Sequence, residues 1–325
     1  MGVTQAVLSA HIQSWEKTLA ATNRPHRRYW PSRLFRHEPA ENAAAIIQSG
    51  QLLSRSGAMG LIKRDIAPPA ILQNAAFAQD YVRLYFRPKS PTQYHIEGIR
   101  KQADYYNGKH APILVIFVFR AAGLLNNPGV MFSDGNMQSN YTSLGNDDAF
   151  FQSINFDNVF HEGSFDSTNP ANFGLIRERC AEALLPSPLP LNNTLEAILC
   201  RSSAERTTLI HMLGQAAQAW ESRIVVQSAP GIFENRHVYL DEVAIASDGI
   251  SFRFNPTSLY PTVKTELIVQ GVGNAFNQSW GPWQLDPRKR WKRSQAFEDG
   301  TYNVKFIVED CLAYEANLLV DSLPF

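Results

Sequence analysis

Seven consecutive positions, Ile113, Leu114, Val115, Ile116, Phe117, Val118 and Phe119, are apolar without a break. A strand with one wet face alternates polar and apolar residues. An unbroken run must instead be buried on both faces. The chain is therefore expected to build a sheet with cover on either side. Further strands are expected at Leu34 to His37, at Tyr81 to Phe86 before Pro88, at Arg179 to Leu185, and at Leu195 to Cys200. A leading helix fits residues 4–20. A second is expected over Ala43 to Ser49, with Asn42 as N-cap and Gly50 closing it. Long loops are expected over 57–78 and 123–148.

The pattern changes after Ser203. Ala204 to Trp220 reads as one amphipathic helix. Beyond it come short alternating runs, among them Val238 to Leu240, Ile250 to Phe254, Leu267 to Val269 and Val304 to Val308. These suggest a small β-sandwich or curled sheet. The division expected is 1–222 and 223–325, with the boundary near 220–236.

The 30 Lys and Arg balance 30 Asp and Glu, so a polyanion site must come from local clustering. Two clusters exist. Arg288, Lys289, Arg290, Trp291, Lys292 and Arg293 follow Trp280 and Trp283, and Arg24, Arg27, Arg28, Tyr29 and Trp30 repeat the mixture. Cations interleaved with tryptophan suit a single nucleic-acid strand, by backbone charge and base stacking, or else form a solvated hairpin face. Three scattered cysteines fit a reducing compartment, and no stretch approaches the ~18–20 apolar residues of a membrane span. A cytoplasmic protein with no membrane contact is expected. The eight histidines lack metal-ligand spacing, so no metal is expected. P-loop, GxGxxG, HExxH and GxSxG motifs are absent.

Glu182, in the run Arg177 to Leu185, is a carboxylate on a mostly apolar strand. Such a group needs a partner or a solvent path. It either forms a salt bridge to Arg177 or Arg179, or faces a cationic transition state. Phe35-Arg36-His37, Asn42, Ile46 to Leu53, the Tyr81-x-x-x-Tyr85-Phe86-x-Pro88-x-Ser90-Pro91 run, Phe132 to Asn136 and Arg179 to Leu185 together resemble the DarT family of DNA ADP-ribosyltransferase toxins, over about residues 33–200.

The resemblance implies an α+β fold, an ADP-ribosyltransferase-type split β-sheet with an NAD cleft, followed here by a small mostly-β domain. It implies NAD as the ADP-ribose donor. It makes Glu182 the carboxylate that stabilises positive charge as the nicotinamide–ribose bond breaks, and Arg64, with Lys63 beside it, the group that helps the acceptor base lose its proton. Arg36, His37, Asn42, Tyr81, Tyr85 and Ser90 would hold NAD. The family usually opens its first strand with Tyr-His, whereas this chain has Phe35-Arg36-His37, so Arg36 takes the histidine's place unless the register slips. His37 is then either an NAD contact or a core histidine. Asn136, with the turn at Gly135 suited to positive φ, would border the acceptor, as would Arg177 and Arg179.

The activity implied is modification of a base in single-stranded nucleic acid, with thymidine in DNA favoured and guanine or RNA as variants. The setting implied is a toxin or phage-defence effector opposed by an antitoxin. A non-enzymatic nucleic-acid-binding module on a degenerate transferase fold is the alternative, and a protein-modifying transferase a third reading. Arg288, Arg290, Trp291 and Arg293 would track the strand, so replacing Arg288, Lys289, Arg290 and Arg293 together is expected to flatten the salt dependence of nucleic-acid binding. Glu182→Ala is expected to abolish transfer and leave the fold intact, as befits one carboxylate in an open cleft.

Overall fold

The computed structural model describes residues 2–67, 76–137, 139–227, 230–255 and 259–321. Its main layer is an eight-stranded sheet in the order Ile224–Val226, Leu195–Cys200, Leu114–Arg120, Arg33–Pro39, Tyr81–Tyr85, Glu182–Pro186, Met131–Ser133 and Leu144–Gly145. The apolar run near 113 lies third in that order and is buried through Phe119. Its strand registers with Arg33–Pro39 at seven positions. The next junction is different. Arg33–Pro39 and Tyr81–Tyr85 share a single registered pair, Phe35 with Tyr85. The sheet is continuous by hydrogen bonding yet pinched there, and the two strands splay apart on either side. This is the split that the family resemblance implies.

The leading helix, Gln5–Ala20, is capped by Thr4, whose hydroxyl accepts from the Val7 amide. Four sequence expectations change. The second helix is Ala40–Ser49, so Asn42 sits inside its first turn and is not its cap. The strand expected from Arg179 begins only at Glu182, because the helix Phe173–Glu178 runs up to it and Arg179 is that helix's C-cap. The loop expected over 123–148 holds two short strands, and Met131 and Phe132 register with Leu184 and Ala183. The helix expected over 204–220 breaks after Leu213, since Gly214 adopts φ +55°, a conformation that side chains disfavour. Of the loop expected over 57–78, residues 68–75 lie outside the described residues, and a 3₁₀ turn, Ala76–Asp80, closes it.

The C-terminal part is two sheets on one core. Leu240–Ala246, Gly249–Phe254 and Arg290–Ser294 form one, and Asn277–Leu285, Val263–Val272, Gly300–Val308 and Cys311–Val320 the other. Between them Phe252 meets Phe306 with ring centroids 4.6 Å apart. Near the expected boundary, Ile224–Val226 still pairs in parallel with Ile198–Cys200 of the first sheet, and residues 228–229 lie outside the described residues.

The helix Ser203–Leu213 serves both parts. Ser202 Oγ donates to the Leu240 carbonyl, and the Glu315 amide donates to Thr208 Oγ1. Beside it lies a buried triad. Arg201 donates through Nε to both Glu205 oxygens at 3.0 Å, and its Nη1 stands 3.6 Å from Glu97. Glu97 also accepts from the amides of Glu234 and Asn235, so the segment leading into the second part is tied to the same carboxylate. Burial pushes the Glu205 carboxyl above its usual range despite Arg201. Arg201→Met would leave two carboxylates buried without their cation. A stability loss of about 3–5 kcal/mol is expected, read as a lower urea midpoint for the full chain.

Candidate active site

The splayed junction opens into a cavity of about 590 Å³, within the usual size of a cofactor-sized site. Arg36, His37 and Glu38 line it from one strand, and Tyr81, Arg83 and Tyr85 from the other. Alternation puts Tyr81, Arg83 and Tyr85 on one face of their strand, while Val82 and Leu84 face the core. Tyr85 registers with Glu182 on the far side. Arg83 reaches across to that carboxylate in a two-point bond, Nε to Oε2 at 2.5 Å and Nη2 to Oε1 at 2.7 Å. Glu182 is only 1% exposed, so the Arg83 guanidinium, and not the carboxylate, forms the wall.

The other wall is a clamp built on Asn42. Its Oδ1 accepts from the amides of Lys63 and Arg64, both at 2.9 Å, and its Nδ2 donates to the Arg64 carbonyl. The loop is thereby pinned to the helix Ala40–Ser49. Arg64 then lies along the cavity with its guanidinium on Glu41. Nearby, Arg36 donates to Glu38 at 2.7 Å. Burial opposes the Arg36 charge, but Glu38 more than offsets this and holds the guanidinium above its ordinary value. Arg83 is raised in the same way, by Glu182 against burial. His37 stacks on Tyr85, ring centroids 5.4 Å apart, and burial with Arg36 and Arg83 close by lowers it to about 3. It is a neutral ring at pH 7. Burial also pushes the Tyr85 phenol up, so it stays protonated.

A cavity lined by arginines and tyrosines, with a buried carboxylate behind one of them, suits an anionic substrate that also carries flat rings. The family model for DarT, ssDNA thymidine ADP-ribosyltransferase, matches residues 35–233. The chain belongs to the DarT family. Among solved structures, it is similar to Thermus sp. 2.9 DarT in complex with ADP-ribosylated ssDNA, at 21% identity and a TM-score of 0.49, over 61% of this chain and 94% of that one. The same Thermus protein in complex with NAD+ gives 21% and 0.46, over 61% and 96%. No curated protein matches the chain.

The DarT-like residues named from sequence do not all meet. Arg36, His37, Asn42, Arg64, Tyr81 and Tyr85 line the cavity. Ser90 does not. It is buried, and its hydroxyl caps the helix Pro91–Ile96 by accepting from the Gln93 amide. Phe86 turns away and packs on Phe151 and Phe156. Neither Arg177 nor Arg179 pairs with Glu182. Arg177 bonds Asp134 and Glu178, and Arg179 lies over the Phe165 ring. The Asn136 amide donates to the Arg177 carbonyl, outside the cavity lining. Gly135 is needed for space and not for positive φ, since a Cβ there would stand 2.8 Å from the Arg177 side chain. Among the described residues no group of three His, Cys, Asp or Glu could hold a metal, and no helix is long and apolar enough to cross a membrane.

The basic run of the C-terminal part is largely neutralised. Arg288 bonds Asp286, Arg290 bonds Glu242 and Lys292 bonds Asp248, while Arg293 lies over Trp280. Trp291 donates to the Asp286 carbonyl and is half-buried.

Sequence reasoning missed Arg83 and Glu38. A period-two reading of Tyr81, Arg83 and Tyr85 would have placed the arginine on the tyrosine face. Its pairing with Glu182 needs a register that spacing does not supply. The low value at His37 has a consequence for stability. The unfolded chain takes up a proton there below the ordinary 6.5 while the folded chain resists down to about 3, so stability falls as pH drops through that window. His37→Gln is expected to flatten the slope of the urea midpoint against pH there. An unchanged slope would mean that His37 takes up its proton as readily in the folded chain as in the unfolded one.

Proposed function

We propose that this chain transfers ADP-ribose from NAD to a thymidine base in single-stranded DNA, with Glu182 as the catalytic carboxylate. The observation that carries the reading is the coincidence of three features at one point. The sheet is pinched to a single pair at Phe35 and Tyr85, the cavity opens there, and Glu182 registers with that same Tyr85. NAD supplies an ADP-ribosyl group on a bond whose cleavage leaves positive charge on the ribose. Glu182 stabilises that charge once it is freed from Arg83. Arg83 moves from the carboxylate toward the bound phosphates, an exchange of one anion for another. Arg36 is the fixed cation and His37 the neutral ring beside it, and Tyr81 and Tyr85 offer ring faces for nicotinamide. Arg64, held in place through Asn42, lies beside the acceptor base and stabilises the negative charge left as that base gives its proton to solvent; the base then bonds the ribose carbon from which nicotinamide has departed.

The proposed activity extends to the whole chain. The first sheet, which still takes in Ile224–Val226, belongs to the transferase, the sheets from Leu240 onward form an accessory β domain, and the protein acts as a toxin or phage-defence effector countered by an antitoxin. In the accessory domain only Arg293 and Lys289 of the basic run are without a carboxylate partner among the described residues. Replacing the run should therefore flatten the salt dependence of binding less than its formal charge implies.

Purified protein with labelled NAD, offered single-stranded DNA, single-stranded RNA and a protein extract, tests the transfer. Label is expected on DNA, and Glu182→Gln should reduce it by at least on the order of 10²-fold. The glutamine keeps an oxygen that accepts from Arg83. Glu182→Ala is the poorer variant, because the structure shows Arg83 spending its ion pair on Glu182 and its removal leaves a largely buried guanidinium unpaired. The intact fold expected of Glu182→Ala on an open-cleft reading is therefore replaced by an expected loss of stability. Full turnover in folded Glu182→Gln would refute the assignment of the carboxylate.

A further inference from the structure

A second surface adjoins the cavity and is built from segments far apart in sequence. The helix Pro91–Ile96 contributes Thr92 to the cavity wall and, two and three residues on, Tyr94 and His95 toward its other side. His95 stacks on Tyr106 with ring centroids 4.0 Å apart and an interplanar angle of 17°. Tyr94 stands edge-on to His95, at 89°. Arg236 lays its guanidinium 4.1 Å from the Tyr94 ring centroid, and Lys101 Nζ lies 5.3 Å from that of Tyr260. Tyr94 is 41% and Tyr106 43% exposed. Arg100 anchors this corner by donating to the Tyr94 carbonyl at 2.9 Å.

The charge on this surface differs from that of the C-terminal basic run. Among the described residues Arg236 and Lys101 lie over tyrosine rings and neither has a carboxylate within salt-bridge distance. Asp104 accepts from the Tyr260 hydroxyl. Burial, Arg100 and Arg236 lower His95, so the ring that stacks on Tyr106 is neutral at pH 7. The turn that carries Tyr106 continues to Lys109, which lies within electrostatic reach of Asp65 on the cavity wall. Arg236 covers one face of Tyr94 and His95 one face of Tyr106, and the partly exposed rings that remain, with cations beside them, are what a single strand of nucleic acid uses, stacking bases and tracking phosphates.

From this continuity and charge we infer that Tyr94, Tyr106 and Arg236 form the platform on which the acceptor strand lies, stacking bases that flank the one delivered to the cavity. The inference rests on the proposed transfer to single-stranded DNA and adds where the strand runs. The surface takes bases by their faces, so it tolerates sequence. Selection of the modified base stays with the cavity.

The test is the affinity of the full chain for a fluorescent single-stranded thymidine oligonucleotide, measured by anisotropy, beside NAD affinity by calorimetry. Each stacked base lost is expected to cost about tenfold, so Tyr94→Ala with Tyr106→Ala should weaken DNA binding by about a hundredfold. Tyr94→Phe with Tyr106→Phe keeps the rings and should bind as the parent does. Arg236→Gln should lower the salt dependence of binding by about one phosphate contact. NAD affinity should be the same in every variant. The inference falls if the double alanine variant binds DNA within twofold of the parent, or if it loses NAD instead, which would make the rings an adenine site. A parent protein that labels DNA while the alanine variant binds it normally overturns the platform alone. A parent that neither binds nor labels DNA overturns the transfer reading and the platform with it.

Discussion

The Arg83–Glu182 pair sits where the sheet has least backbone support. Strands on one side of the junction are registered over seven positions, and on the other Tyr81–Tyr85 and Glu182–Pro186 over five, but the two halves meet at Phe35 and Tyr85 alone. A sheet opened this far must satisfy the polar groups of its splayed edges in some other way. Side chains do so here. Arg36 Nη1 donates to the Arg83 carbonyl across the gap, and Arg36 and Arg83 each carry a carboxylate. The result is a cleft whose walls are held by charge instead of by a ladder. That arrangement can exchange partners when a charged substrate enters.

Rigidity comes from elsewhere. The triad of Glu97, Arg201 and Glu205 is buried outright, with backbone amides of 234 and 235 on the same Glu97. Buried ion pairs of this kind add little net stability over apolar packing, yet breaking one partner is costly. Their effect is to specify geometry. Glu97 follows directly on the helix that carries Tyr94 and His95, and the 234–235 amides precede Arg236. One buried carboxylate thus fixes two segments that supply the exposed aromatic and cationic surface, and ties both to the start of the C-terminal sheets.

Much of this was legible in the residues. The unbroken apolar run near 113, the leading helix and the alternating C-terminal strands follow from periodicity, because burial alone decides them. Glu182 stood out since a carboxylate on an apolar strand must have a reason to be there. Its partner was misassigned. Arg177 and Arg179 are close in sequence, but a helix ends at Glu178 and turns them away, while Arg83 arrives from a strand about a hundred residues earlier. Asn42 likewise fits an N-cap by type. Pro39 and Ala40 start the helix sooner, and the asparagine amide is used on the loop at 63–64. Ser90 is the converse, a residue expected at the ligand whose hydroxyl is consumed in capping.

The same physics explains why the cationic run at 288–293 drew notice and the surface at Tyr94 did not. On a strand, consecutive cations alternate faces and meet whatever lies across the sheet, and here Glu242 and Asp248 lie within reach. Local density of charge in sequence therefore says little about net field, because the neighbours that neutralise it come from other strands. An unneutralised site requires cations and aromatics to be gathered while carboxylates are kept away, and only the fold does both. Tyr94, Tyr106 and Arg236 are separated by up to 142 residues, and each alone is an ordinary surface residue. Glu97 is engaged by Arg201 and by the amides of Glu234 and Asn235, which fixes the chain just before Arg236, and the Arg236 guanidinium lies on the Tyr94 ring.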